Sequence, residues 1–210
     1  VLSDRRSDSS APGAPRAAAD ARTRLLDTAY SLFSRYGIHT IGIDRIIADA
    51  GVAKMTLYRH FASKDDLVLA FLELREQRWT HGWLRAEMER RATAPRDRLL
   101  AVFDALDDWF RRPDFESCPF LRTLVEVPDE SDPVHQATVD YLETITKMLE
   151  RQVRKAGIAR PRDVALEQHI LMMGAILSAT RGDRKAAVRT RGTAELVLNK
   201  AAGSPRVGRG

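Results

Sequence analysis

Apolar residues recur at three- and four-residue spacing along almost the whole chain, and no segment sustains the two-residue alternation of a half-buried strand. That regularity predicts an all-α fold. Leu25, Leu26, Ala29, Leu32, Phe33 and Tyr36 form one helical face, and Gly37 follows as a C′ residue. Ile43, Ile46, Ile47 and Ala50 line a short second helix, Gly51 breaks it, and a third helix covers 54–60. Ser63, with Asp66 three residues on, is a capping box at the head of a long helix running to about Arg91. Further helices are expected from Pro95 towards Pro113 and over 120–126, 133–156, 162–180 and 184–201, giving about nine.

The change in helix length near Lys64 suggests two regions. A three-helix unit of helix-turn-helix type, residues 20–66, is expected to join a larger helical domain, residues 67–202. Residues 1–19 and 203–210, rich in Ser, Pro, Ala and Gly, are expected to be disordered tails. A unit of some 45 residues buries too little apolar surface to be stable alone, so it should pack on the long helix that begins at Lys64.

Charge follows the same division. Residues 1–64 hold ten Lys and Arg against six Asp and Glu, while residues 65–210 are nearly balanced at 24 against 23. The excess suits a polyanionic partner for the N-terminal region. No apolar stretch has the length of a membrane span, and no secretory signal is evident at the start. A single cysteine, Cys118, excludes an intramolecular disulfide framework and a cysteine-based zinc cluster. A cytoplasmic protein without membrane contact, cofactor or bound metal is expected.

The stretch GVAKMTLYRHF, residues 51–61, carries the most specific chemistry. A helix-turn-helix needs a residue tolerant of an unusual backbone angle at its turn, which Gly51 supplies. It needs a small residue where the two helices meet, for which Ala48 or Ala50 serves. It also needs buried anchors on the second helix, and Leu57 and Phe61 share one face. Lys54, Met55, Thr56, Tyr58 and Arg59, with His60 at the helix end, are left for phosphates and base edges. The bland reading of the same face is an ordinary solvated helix surface.

Residues 51–67, GVAKMTLYRHFASKDDL, with Phe33 and Gly37 and the run Ile46 to Val52 upstream, resemble the N-terminal signature of the tetracycline-repressor (TetR) family of bacterial transcriptional regulators. The resemblance implies a homodimer that reads a palindromic operator in double-stranded DNA and a C-terminal domain that binds a small-molecule effector. It assigns Tyr58 and Lys64 to the phosphate backbone, and places Lys54, Met55 and Thr56 near base edges or adjacent phosphates, with His60 near the backbone. Tyr58 can equally cover the core edge, and Lys64 can be a simple first-turn charge.

Four departures matter. Gly42 and Ala53 stand where Ser or Thr is frequent, and alanine is a poor N-cap. Asp44 stands where some members carry a basic residue, which should repel phosphate and shift base reading towards Arg45 and the second helix. Met55 replaces a small residue.

In the C-terminal region most large apolar residues must be core. Trp79, Trp83, Phe103, Phe110, Cys118, Phe120, Tyr141, His169 and Met173 are the candidates to line an effector cavity, whose occupant should be mainly apolar. The resemblance implies that the last two helices form the dimer interface. Gly174, Ala175, Ser178 and Ala179, with Ala187, Ala194, Val197 and Leu198 on the following helix, are the candidates there, and packing within the chain is the alternative. An enzyme is not expected: no phosphate-binding glycine loop or HExxH pattern is present, and a nucleophile reading of Cys118 with His135 or His169 as base finds no acid at informative spacing. Three roles stand: a ligand-responsive repressor, an activator or ligand-independent DNA binder on the same fold, and a helical module whose basic helix meets an acidic protein.

Overall fold

The computed structural model describes the backbone of residues 14–203 and the side chains from Ala21 to Gly203; the tail expectations for 1–13 and 204–210 lie outside the described residues. Ten α-helices follow in order: α1 Ala14–Tyr36, α2 Ile43–Ala50, α3 Lys54–His60, α4 Lys64–Arg75, α5 Arg85–Arg91, α6 Pro95–Arg111, α7 Pro119–Glu126, α8 Pro133–Lys155, α9 Pro161–Thr180 and α10 Ala186–Ala202. Among the described residues no strand occurs. The first helix starts earlier than expected, at Ala14, so residues 14–19 join it. Their alanines are strong helix formers.

The long helix expected over 63–91 is one continuous rod of three parts. Between α4 and α5 the turns widen into a π-helical segment, Glu76–Leu84, whose flanking residues Arg75 and Arg85 keep right-handed helical angles. The Arg85 amide reaches back five residues to the Thr80 carbonyl. Such widened turns are rare and concentrate at functional sites.

The three-helix unit buries Leu25, Ala29 and Phe33 of α1, Ile46 of α2 and Leu57 of α3 in a core continuous with Leu67 and Phe71 of α4. Phe71 is fully buried and meets Tyr30 and Phe33 edge-on, at ring separations of 5.7 and 5.4 Å. The small unit thus borrows its floor from α4, as its size requires.

A second junction was invisible to local pattern. Gly37, at φ +88°, ends α1 in the left-handed region. Beyond it the amides of Ile38 and His39 donate to Glu126 Oε2 on α7, at 2.7 and 3.1 Å. Arg122, one turn earlier on α7, donates to the carbonyls of Ser34 and Arg35, at 3.4 and 3.0 Å. One face of α7 therefore satisfies both the last carbonyls of α1 and the first amides after it.

Candidate DNA interface and ligand cavity

Gly51 caps α2 at φ 62°, ψ 44°, with its amide on the Ala48 carbonyl. Ala50 is buried where α2 meets its neighbours, while Ala48 is exposed, which decides between the two. Leu57 and Phe61 are buried anchors of α3, so its opposite face must look outward. Lys54, Met55, Tyr58 and Arg59 are exposed there, and Thr56, His60 and Lys64 are half-buried beside them. Arg45 is exposed on α2 and pairs with Asp49 at 2.8 Å. Asp44 is paired too: Lys54 Nζ lies 3.3 Å from its carboxylate. The acidic residue thus acts first on the recognition helix, holding its leading lysine.

Both helix starts behave as their sequences predict. Ser63 and Asp66 complete the reciprocal capping box of α4, at 3.0 and 3.1 Å. Ala53, at the N-cap of α3, makes no side-chain cap. Replacing Ala53 with serine supplies the missing acceptor at an already extended residue, and should raise the unfolding free energy by about 0.5–1 kcal/mol. Equilibrium denaturant unfolding checks it, and an unchanged midpoint would show that the first turn needs no cap.

A cavity of about 360 Å³ lies at the far end of α4. Its walls are Tyr30 from α1, Arg75 closing α4, Trp79 and Trp83 on the π-helical segment, Trp109 on α6, and Arg112, Asp114 and Glu116 on the following loop. The indoles enclose one another, with ring separations of 5.5 Å for Trp79 to Trp83 and to Trp109, and 5.8 Å for Trp83 to Trp109. Arg112 and Asp114 pair through two hydrogen bonds of 2.8 and 2.6 Å. Glu116 is half-buried, and burial pushes its carboxyl pKa up. A larger hollow of about 630 Å³ adjoins and shares Asp114 and Glu116, but its remaining walls carry Arg35, Arg122 and Arg184 and only one aromatic ring, that of Phe115.

Of the nine effector candidates read from the sequence, Trp79 and Trp83 line the tryptophan cavity. Phe103, Phe110, Cys118 and Phe120 are buried core, Tyr141 stacks beside Phe120 at 5.7 Å, and Met173 is half-buried on α9. Tyr30, Arg75, Trp109, Arg112, Asp114 and Glu116 are the cavity residues that pattern reading missed. Arg75 left one trace, since it continues the i, i+4 stripe Leu67, Phe71, Arg75, Trp79 as a charge among apolar residues.

His169 is buried, with its Nδ1 2.8 Å from Thr146 Oγ1. Burial disfavours its charged form and lowers its pKa from 6.5 to about 4. Because the folded value lies below the unfolded one, the associated stability is complete above about pH 6.5 and is lost as the pH falls towards 4. Unfolding free energy measured at stepped pH should drop through that window with a slope of up to about 1.4 kcal/mol per pH unit. In His169→Gln this component of the slope should vanish.

The last two helices divide the interface candidates. Ala175, Ala179, Ala187, Ala194 and Leu198 are buried within their own chain, where α9 packs on α10 and α10 on α6. Gly174 is exposed, and Ser178 and Val197 are half-buried. The outward stripe instead carries Leu166, Ile170 and Leu177 of α9 and Val188 and Leu196 of α10, all exposed.

A glycine-turned pair of short helices with a cationic outer face, carried on a rod that leads into a helical domain with an aromatic cavity, defines a helix-turn-helix transcriptional regulator. Comparison with known proteins agrees. Residues 25–71 match the profile of bacterial regulatory proteins of the tetR family, and residues 95–194 match that of the tetracyclin repressor-like C-terminal domain. A TetR-family transcriptional regulator from Streptomyces coelicolor is 32% identical with a TM-score of 0.78, over 88% of this chain and 97% of that one. The chain belongs to the TetR family. Among curated relatives, the HTH-type transcriptional regulator LmrA of Bacillus subtilis is 25% identical over 166 residues, 75% of this chain and 85% of LmrA. The HTH-type transcriptional activator FasR of Mycolicibacterium smegmatis is 39% identical over 88 residues, 42% of this chain and 39% of FasR. Among the described residues, no helix is long and apolar enough to cross a membrane.

Proposed function

We propose that the chain is a ligand-responsive transcriptional repressor of the cytoplasm, binding a palindromic operator as a homodimer and released by a small, mainly apolar effector. One observation carries the ligand response. The tryptophan cavity takes one wall from α1 of the DNA-binding unit, through Tyr30, and the others from the rod, α6 and its loop. An occupant there touches both regions at once, and it shifts DNA binding only as far as it prefers one arrangement of them. Arg45, Lys54, Met55, Thr56, Tyr58, Arg59, His60 and Lys64 form the DNA surface. The exposed stripe Leu166, Ile170, Leu177, Val188 and Leu196 is an apolar face of the kind a second copy covers.

An activator is the second reading, favoured by the likeness to the transcriptional activator FasR over an 88-residue span. Mobility shifts with DNA from upstream of the protein's own gene test the shared part. Wild type should give a specific shift, Tyr58→Phe should weaken binding to all sequences alike, and Lys54→Ala should relax preference at particular positions. No specific shift on that fragment or on genome-selected DNA would overturn the regulator reading. A reporter placed behind the bound fragment separates repression from activation by the sign of the change.

A further inference from the structure

Arg75 is the anomaly of the cavity. The residue is only 6% exposed, and among the described residues no carboxylate lies within ion-pair distance of its guanidinium, although its charge acts on Glu116 in the same cavity. Its one hydrogen bond is from Nη1 to the Tyr30 hydroxyl, at 3.0 Å. A guanidinium carries five N–H donors, so most of this fork is unspoken for. A buried unpaired charge is costly, and its natural complement is a planar two-oxygen anion. Trp79 Nε1–H is also buried and without an acceptor, but it presents no surface to the cavity. The other cavity arginine, Arg112, already has its carboxylate in Asp114.

We propose that the tryptophan cavity binds a compact aromatic carboxylate, its carboxylate taken by the Arg75 fork and its ring laid among Trp79, Trp83 and Trp109. Resting on the reading of this cavity as the effector site, the assignment sets the charge of the effector. Three indoles beside Glu116 could also be taken for a cage for a cation. Arg75 opposes that: its guanidinium already sits 5.8 Å from the Trp79 ring and 5.8 Å from that of Tyr30, so an incoming cation meets a like charge at the aromatic face it needs. Burial is the larger influence on Glu116 and resists its ionisation, while the Arg75 charge opposes that, so a neighbouring carboxylate shares Arg75 with a group that yields its charge readily. The volume of about 360 Å³ suits one ring with a short acid arm rather than a large polycycle.

The protein carries its own reporter. It has three tryptophans, and all three line this cavity, so intrinsic tryptophan emission reads the site directly. Three probes of one shape and different charge suffice on the wild-type chain: 3-phenylpropionate, 3-phenylpropionamide and 3-phenylpropylamine. The carboxylate should change the emission at the lowest concentration, with the amide about ten- to a hundredfold weaker and the amine no better than the amide. Arg75→Gln should erase the gap between acid and amide, while Glu116→Gln should leave it in place. An amine that binds tightest, an amide equal to the acid, or no response to any of the three overturns the assignment. The wild-type series decides it even where Arg75→Gln fails to fold. The regulator reading fails separately. If the acid binds as described and DNA is never bound, the carboxylate site stands and the regulation falls. If DNA is bound and none of the three probes alters the tryptophan emission, the reverse holds.

Discussion

Phe71→Ala should lower the unfolding free energy by about 3–5 kcal/mol. The ring is fully buried where α1 rests on α4, and its edge-on contacts with Tyr30 and Phe33 leave it no alternative neighbours. Truncation removes apolar burial and aromatic contact together and opens a void that Leu67 and Leu72, themselves fully buried, cannot move to fill. The loss falls on the three-helix unit, because α4 is the floor on which that unit stands. Urea unfolding followed by tryptophan emission and by circular dichroism should show the two signals separating, with helix content falling first. Trp79 and Trp83 lie beyond Phe71 along the rod and Trp109 lies on α6, so their signal follows the larger domain. A loss below about 1 kcal/mol would show that the α1–α4 junction is not closely packed.

Gly37→Ala should be nearly as severe, at about 3–5 kcal/mol, for two separable reasons. At φ +88° any side chain strains the backbone. A Cβ there would also overlap Glu126 Oε1 and push away the carboxylate that accepts the Ile38 and His39 amides. Glu126→Ala removes only the second part and should cost about 1.5–3 kcal/mol. With both changes together the total should fall short of the sum, since the added methyl group then has no carboxylate to displace. A strictly additive pair would place the whole effect of Gly37→Ala in its backbone angle. Both variants should loosen α7 from α1, and with it the second tie between the DNA-binding unit and the rest of the chain.

What could be read in advance divides by the distance over which each feature is set. The capping box at Ser63, the left-handed turn at Gly51, the bare cap at Ala53 and the outward face of α3 are all decided within a few residues, and each was legible. Gly37 announced a helix end, but nothing near it announced Glu126, nearly ninety positions away. The interface candidates show a different limit. Ala175, Ala179, Ala187 and Ala194 do mark close helix approach, but small size does not say which helix approaches, and here each is buried against its own chain. The aromatic candidates failed to separate for a related reason, since Phe103 and Phe110 have the same chemistry as Trp79 and Trp109 and differ only in what surrounds them. Arg75 was the overlooked clue, because a charge in an apolar stripe is informative where another phenylalanine is not.

The widened turns of Glu76–Leu84 give the rod an unusual tolerance of length. An α-helix turns about 100° per residue, so losing a single residue from a regular rod would swing everything beyond it through that angle. Here one lost residue would instead let the remaining turns tighten into ordinary α-helix, the better-formed structure, and that tightening offsets much of the swing. A chain shortened by one residue there would keep its helix content and much of its register beyond Leu84. Relatives of this chain should accept the loss of one residue between Arg75 and Arg85 more readily than a loss elsewhere along the rod.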